Sequence, residues 1–189
     1  MAIFLLGLLI FLGIHSVSIV NESWRNRMVV VIGEWPWKGV YSLVSLVGFV
    51  LIVWGYGLSR IDSFDLYTPP LWLHYISLLL LLPVFPLLLA AYLPGRIKSL
   101  TRHPMLLATG FWAVGHLLAN GSSVNVILFG SILAWTVVDR LSVENRQPRP
   151  IPGAPPSRLN DIIALVVGIG LYLIFLFWLH DLLIGVSPF

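Results

Sequence analysis

The chain has 189 residues, of which 58% are hydrophobic and only 10% charged. A soluble domain carries about 25% charged residues, so the composition argues against a disordered chain or a water-soluble globule and for repeated passage through a membrane. The absence of cysteine excludes disulfides, zinc–thiolate sites, iron–sulfur clusters and cysteine nucleophiles. A net charge of +3 is too small for a nucleic-acid footprint.

Six apolar segments follow one another, at about 2–20, 39–58, 71–93, 104–119, 124–138 and 161–185. About 20 apolar residues cross about 30 Å of hydrocarbon, and the first, second, third and sixth segments meet that length. The fourth and fifth, at about 15 residues each, fall near the lower limit. The turn Asn120-Gly121-Ser122-Ser123 joins them into a hairpin that crosses as a pair or, as the alternative, re-enters without crossing, and either way leaves the side assignment of the other loops intact. The first segment has neither a basic n-region nor a small-residue cleavage pattern, so it reads as an uncleaved helix. Pro83 and Pro86 are expected to kink the third helix and open backbone carbonyls to a neighbour. The proline-rich run at 147–156 reads as an extended segment, and no loop is long enough to fold alone. The expectation is an all-α fold: one domain over residues 1–189, a polytopic bundle of six transmembrane helices in contact with the lipid bilayer.

Charge orients this bundle. Arg25, Arg27 and Lys38 lie in 21–38, Arg96, Lys98 and Arg102 in 94–103, and Arg140, Arg146, Arg149 and Arg158 in 139–160. These alternate loops hold all the basic residues except Arg60, which sits beside Asp62 and Asp65. Basic loops stay on the cytoplasmic side, which places both termini outside the cytoplasm.

Ionisable groups within membrane spans are costly and point to function. His15 falls one to two turns from the cytoplasmic end of the first segment. His116, counted from Pro104, lies about 18 Å from the cytoplasmic surface, just past the midplane. Small neighbours, Gly13 with Ser16 and Gly115 with Ala119, leave room for another group to approach. Two imidazoles from different helices can clamp a haem in a bundle; as the alternative, each donates to a helix carbonyl as a packing group. Arg102 and His103, with Pro104 opening a helix, suit an anion at the cytoplasmic face, while Arg96 and Lys98 read as headgroup anchors. His74 and His180 belong near the outer boundary. The segment Glu34-Trp35-Pro36-Trp37-Lys38 reads as an interfacial belt, and Tyr41, Ser42 and Ser45 as cross-helix packing groups. Asp139 and Glu144, with Arg140 and Arg146, read as solvated ion pairs at the start of the last inner loop.

Several stretches carry a resemblance. Leu12-Gly13-Ile14-His15-Ser16, Trp37-Lys38-Gly39-Val40-Tyr41-Ser42-Leu43-Val44-Ser45, Tyr67-Thr68-Pro69-Pro70, Arg102-His103-Pro104 through to His116, and Leu183-Ile184-Gly185-Val186-Ser187-Pro188 resemble, in order, the NnrU family. These are bacterial inner-membrane proteins associated with denitrification and nitrogen-oxide respiration. The same core is similar to plant 15-cis-zeta-carotene isomerase, a haem b protein that isomerises a cis double bond in a redox-dependent way. Its proposed axial histidines, one in a His-Ser motif and one thirteen residues after its Arg-His-Pro histidine, match His15 and His116, with His103 as the Arg-His-Pro histidine. The resemblance therefore implies haem b held by His15 and His116, with Arg102 and His103 at a propionate or other anionic group. It also implies a lipophilic polyene or nitric oxide as partner. Ala113 stands where the isomerase has a cysteine, so ligand switching through a thiol is unavailable. A weaker likeness, to isoprenylcysteine-type methyltransferases, rests on the same Arg-His-Pro. It lacks the following aromatic residue and has only Asp139 and Glu144 for its acidic pair.

Overall fold

A computed structural model describes residues 1–149 and 151–188; Pro150, within the proline-rich run, and Phe189 lie outside the described residues. The described chain is all-α, and its strand-type pairing is confined to an isolated bridge between Asp65 and Ser122. The helices are α1 (Ala2–His15), α2 (Val17–Val20), α3 (Glu22–Ile32), α4 (Glu34–Ser59), α5 (Leu71–Leu81), α6 (Val84–Tyr92), α7 (Arg96–Thr101), α8 (Pro104–Ala119), α9 (Ser123–Val143) and α10 (Leu159–Ile174). A π-helical turn (Phe175–Leu179) then leads into α11 (His180–Ile184).

Four helical stretches are long and apolar enough to cross a membrane: Glu34–Ser59, Leu71–Tyr92, Ser123–Val143 and Leu159–Ile184. The apolar helices α1 and α8 are shorter. Large side chains such as Leu43, Leu46, Val50, Val53 and Trp54 stand exposed along α4, the surface expected of a membrane protein whose outer faces meet lipid.

Two segment lengths depart from the sequence reading. The first apolar segment is not one span of 2–20. Its helix ends at His15, where the Ser16 hydroxyl donates to the Leu12 carbonyl at 2.7 Å and the Ser16 N–H is shared between Leu12 and Gly13 carbonyls. Such a tightened last turn ends a helix that hydrophobicity alone would prolong. The fifth segment gains length instead. Ser122 caps α9 by accepting from the Asn125 N–H, and the helix runs 21 residues because Asp139 and Arg140 lie on it rather than after it. The 21–38 stretch, read as a loop, is mostly helical too: the Asn21 side chain accepts from the Trp24 N–H and starts α3, and Gly33, at φ +92°, separates α3 from α4.

The chain divides into two compact units. The first holds residues 1–68 and 120–147. Within it α1 runs antiparallel along α4, with Phe4 opposite Gly55 and Phe11 opposite Gly48. A Cβ at Gly55 would lie 2.4 Å from the Phe4 nitrogen, and one at Gly48 2.7 Å from the Phe11 nitrogen, so only glycine admits this approach. Phe4, Leu8, Ile52 and Val124 form the core. The Tyr56 hydroxyl donates to Asn125 Oδ1 at 2.5 Å, and the predicted turn at 120–123 docks on the 64–66 backbone through Leu66 N–H to Gly121 O and Ser123 N–H to Phe64 O.

The second unit holds residues 69–119 and 148–189, and its core is Val84, Leu87 and Ala108. The expected proline kink is present as a break between α5 and α6 at Leu82-Pro83. Gly168 of α10 packs against Pro86, where a Cβ would come within 2.5 Å of the proline nitrogen. The Tyr172 hydroxyl donates to the Leu78 carbonyl at 2.8 Å, just before the break. A helix interrupted by proline thus finds its support in α10.

Candidate functional site

His15 closes α1. Its Nδ1 lies 2.6 Å from the Phe11 carbonyl oxygen, one turn back. A carbonyl only accepts, so Nδ1 carries the proton and the neutral ring keeps its lone pair on Nε2. Three rings surround the imidazole: Phe11 at 4.2 Å between centroids, Tyr41 at 5.3 Å and Trp135 at 5.9 Å and perpendicular. The Trp135 indole N–H and the Ser45 hydroxyl, one turn from Tyr41 on α4, are buried without a hydrogen-bond partner among the described residues. Orphaned polar atoms of this kind mark strain or a place for another group. The expected cross-helix bonding by Ser45 is therefore not made, and Ser42 is exposed.

His116 stands on α8, in the second unit, and repeats the arrangement: its Nδ1 is 2.8 Å from the Trp112 carbonyl, with the Trp112 ring at 5.0 Å. The His180 ring lies 6.5 Å from the His116 ring at an interplanar angle of 21°. His180 reaches this place through the π-helical turn, which brings Phe175 and His180, five residues apart, to 5.8 Å; π-turns are rare and gather at functional sites. No periodicity in the sequence announces a π-turn, so the sequence places His180 only near the outer boundary. His180 Nδ1 meets the Val186 carbonyl at 2.7 Å and His74 Nε2 the Pro188 carbonyl at 2.5 Å, so both secure the closing segment.

Arg102 and His103 join α7 to α8. Arg102 is the sole non-glycine residue with positive φ among the described residues, at φ +58° and ψ −46°. The His103 N–H bonds to the Thr101 carbonyl across it at 2.6 Å, giving a γ-turn in the strained positive-φ form. Such strain costs about 1–3 kcal/mol and collects at functional sites. The His103 carbonyl accepts from Leu107 N–H, so His103 precedes the first turn of α8 and Pro104 opens it, as expected. Because α8 is unbroken, His103 and His116 stand about 20 Å apart along its axis.

His15 and His116 thus belong to different units, and each is defined within its own. Among the described residues no three His, Cys, Asp or Glu side chains gather as a metal-binding group. The acidic pair is engaged elsewhere: Arg140 meets Glu144 at 2.6 Å in an exposed pair, and Asp139 pairs with Arg146. The Asp139–Arg146 pair is largely shielded, not solvated, with 13% of each side chain exposed. Of the proposed belt, Trp35 is exposed but Trp37 is buried against Trp24.

Sequence reasoning missed the aromatic surround of His15 and the work of Asp161. That carboxylate reaches from α10 to accept the Arg96 and Ile97 N–H groups at 2.8 and 3.0 Å. An acidic residue in a first turn reads as a partner of its own helix; here it serves another.

A family model described as NnrU protein matches residues 3–188. No curated protein and no solved structure matches the chain.

Proposed function

The chain belongs to the NnrU family, and on that footing we propose a six-span protein of the bacterial inner membrane, both termini periplasmic, that binds one haem b through His15 and His116. The observation that carries the reading is the shared state of the two imidazoles. Each holds Nδ1 on the carbonyl four residues back, the kind of bond that orients a ligand histidine. The donor set fits a b-type haem, and the unpartnered indole N–H of Trp135 beside His15 is consistent with a further group there. Arg102 and His103 serve an anionic group, a propionate or another, at the cytoplasmic end.

Support for six spans comes from packing. α1 lies along α4 from Phe4 to Phe11, and α8 packs against both α5 and α6, so the two short helices run beside long ones. A bound haem would supply a one-electron redox centre. Its proposed use is redox-dependent cis–trans isomerisation of a lipophilic polyene reaching the protein through the bilayer. The association of the resembled family with nitrogen-oxide respiration carries a second reading, a non-catalytic haem accessory that binds nitric oxide.

The test is a reduced-minus-oxidised absorption spectrum of the detergent-purified protein beside H15A, H116A and H180A. A b-type spectrum lost in H15A and H116A and kept in H180A is expected. A protein that remains colourless after haem supplementation overturns the reading. Isomer analysis after incubation with a cis-polyene then separates the enzyme from the accessory.

A further inference from the structure

The loop after the proline-rich run is not a free tether. Ala154 N–H bonds to the Tyr92 carbonyl at 2.9 Å and Ser157 N–H to the Pro94 carbonyl at 3.2 Å. Asn160 Nδ2 joins the Pro94 and Pro155 carbonyls at 2.8 and 2.9 Å, and Asp161 holds the Arg96 and Ile97 amides. These bonds fix 94–99 against 156–158 and leave a cleft of about 500 Å³ between them, lined by Arg96, Lys98, Ser99, Ser157 and Arg158.

The cleft is shallow and its walls are mostly apolar, with Arg96, Lys98 and Arg158 standing around it. Arg96 and Arg158 are exposed and form no ion pair among the described residues. The Asp161 carboxylate, beside Gly95 of the lining, keeps its charge while both oxygens accept backbone amides, so three cations stand against one anion. Lys98 donates to the Ala91 carbonyl at 2.7 Å, which holds it at the rim. Leu100, Leu159 and Ile162 stand exposed in the flanking helices, an apolar border beside these cations. A simple charge anchor needs neither a cleft nor a hydrogen-bonded frame.

From this we infer that the cleft binds a phosphate-bearing anion, the phosphodiester headgroup of an anionic phospholipid whose acyl chains lie along the exposed leucines. Arg96 and Arg158 close on the phosphate oxygens, and Ser157, whose hydroxyl oxygen accepts from the Leu159 N–H, has its proton left to donate, whereas the Ser99 hydroxyl is held by the Arg96 carbonyl. Arg102 and His103 do not line the cleft, so this site is separate from theirs. The inference rests on the membrane reading of the chain and not on haem.

The experiment is native mass spectrometry of the full chain in detergent, with phosphatidylglycerol and phosphatidylcholine of identical acyl chains. The wild type is expected to retain phosphatidylglycerol preferentially, and each arginine to contribute about fivefold. R96Q/R158Q is expected to abolish the preference, while R27Q/R60Q, which removes equal charge elsewhere, keeps it. The single variant R158Q, with an intermediate loss, covers the case in which the double variant fails to fold. Displacement of the lipid by inorganic pyrophosphate reassigns the same phosphate site to a soluble ligand. Equal retention of the two lipids by the wild type, or equal losses in the two double variants, overturns the inference.

Discussion

Gly55 and Gly57 lie two residues apart on α4 and face opposite situations. A Cβ at Gly55 would sit 2.4 Å from the Phe4 nitrogen and 2.6 Å from its Cα, whereas a Cβ at Gly57 meets nothing within 4 Å. Alanine at either position gains about 0.5–1 kcal/mol of helix propensity. At Gly55 the obstacle is backbone, which no rotamer change relieves, so α1 must move away by about 1 Å to reach ordinary contact. Gaps of that size forfeit a quarter to a half of each dispersion contact, and the loss falls on Phe4, Leu8 and Ile52, all buried. Overpacking of this kind costs about 1–3 kcal/mol, leaving G55A about 1–2 kcal/mol less stable than wild type and G57A equal or slightly more stable. Thermal unfolding of the detergent-purified proteins, followed by intrinsic fluorescence, reads the difference. Equal melting temperatures for G55A and G57A would refute the seam between α1 and α4.

Three further outcomes are expected. R102G relieves the positive-φ turn and stabilises the protein by about 1 kcal/mol, whereas R102A keeps the strain and does not; equal gains in their melting curves would place the strain elsewhere. D161A strips acceptors from the Arg96 and Ile97 amides, costs about 1–2 kcal/mol, and speeds hydrogen exchange across α7; unchanged exchange there would remove Asp161 from its capping role. Because the chain has no cysteine, S23C on α3 and D62C in the segment between α4 and α5 provide single labels at the two ends of α4. A membrane-impermeant maleimide should modify them from opposite sides of oriented vesicles, and labelling from one side would defeat the proposed topology.

Helical class and membrane character were legible in the apolar runs, because crossing hydrocarbon demands length and apolarity that composition displays directly. The break at Leu82-Pro83 was legible for a similar reason: proline acts through its own covalent structure. Helix ends were harder. Ser16 ends α1 by a side-chain bond to the turn behind it, and Asn21 starts α3 in a stretch whose charges suggested loop. Polar residues that cap and polar residues that solvate look alike in sequence. Of the candidate site, the helix carrying His116 and the proline that opens it could be read, whereas His15, counted one to two turns inside a longer helix, is the last residue of α1. The ring partners of the two imidazoles could not be read. Tyr41 and Trp135 come to His15 from α4 and α9, and His180 comes to His116 through a π-turn, so each contact depends on tertiary register. The positive φ of Arg102 was likewise invisible, since arginine gives no sign of a conformation it rarely adopts.

The glycines that seat α1 also act as a vernier on the imidazole it carries. Gly48 and Gly55 are seven residues apart, as are Phe11 and Phe4, so the two notches repeat about every 10.5 Å along the axis. A slide of α1 by one turn would lift both phenylalanine backbones out of their notches together, and a slide of two turns would reseat only one of them. His15, attached one turn beyond Phe11 and bonded back to its carbonyl, has its position along α4 set by residues near the middle and far end of that helix. Piston motion of that histidine is thereby blocked, and any adjustment at the site falls to the side chains facing it.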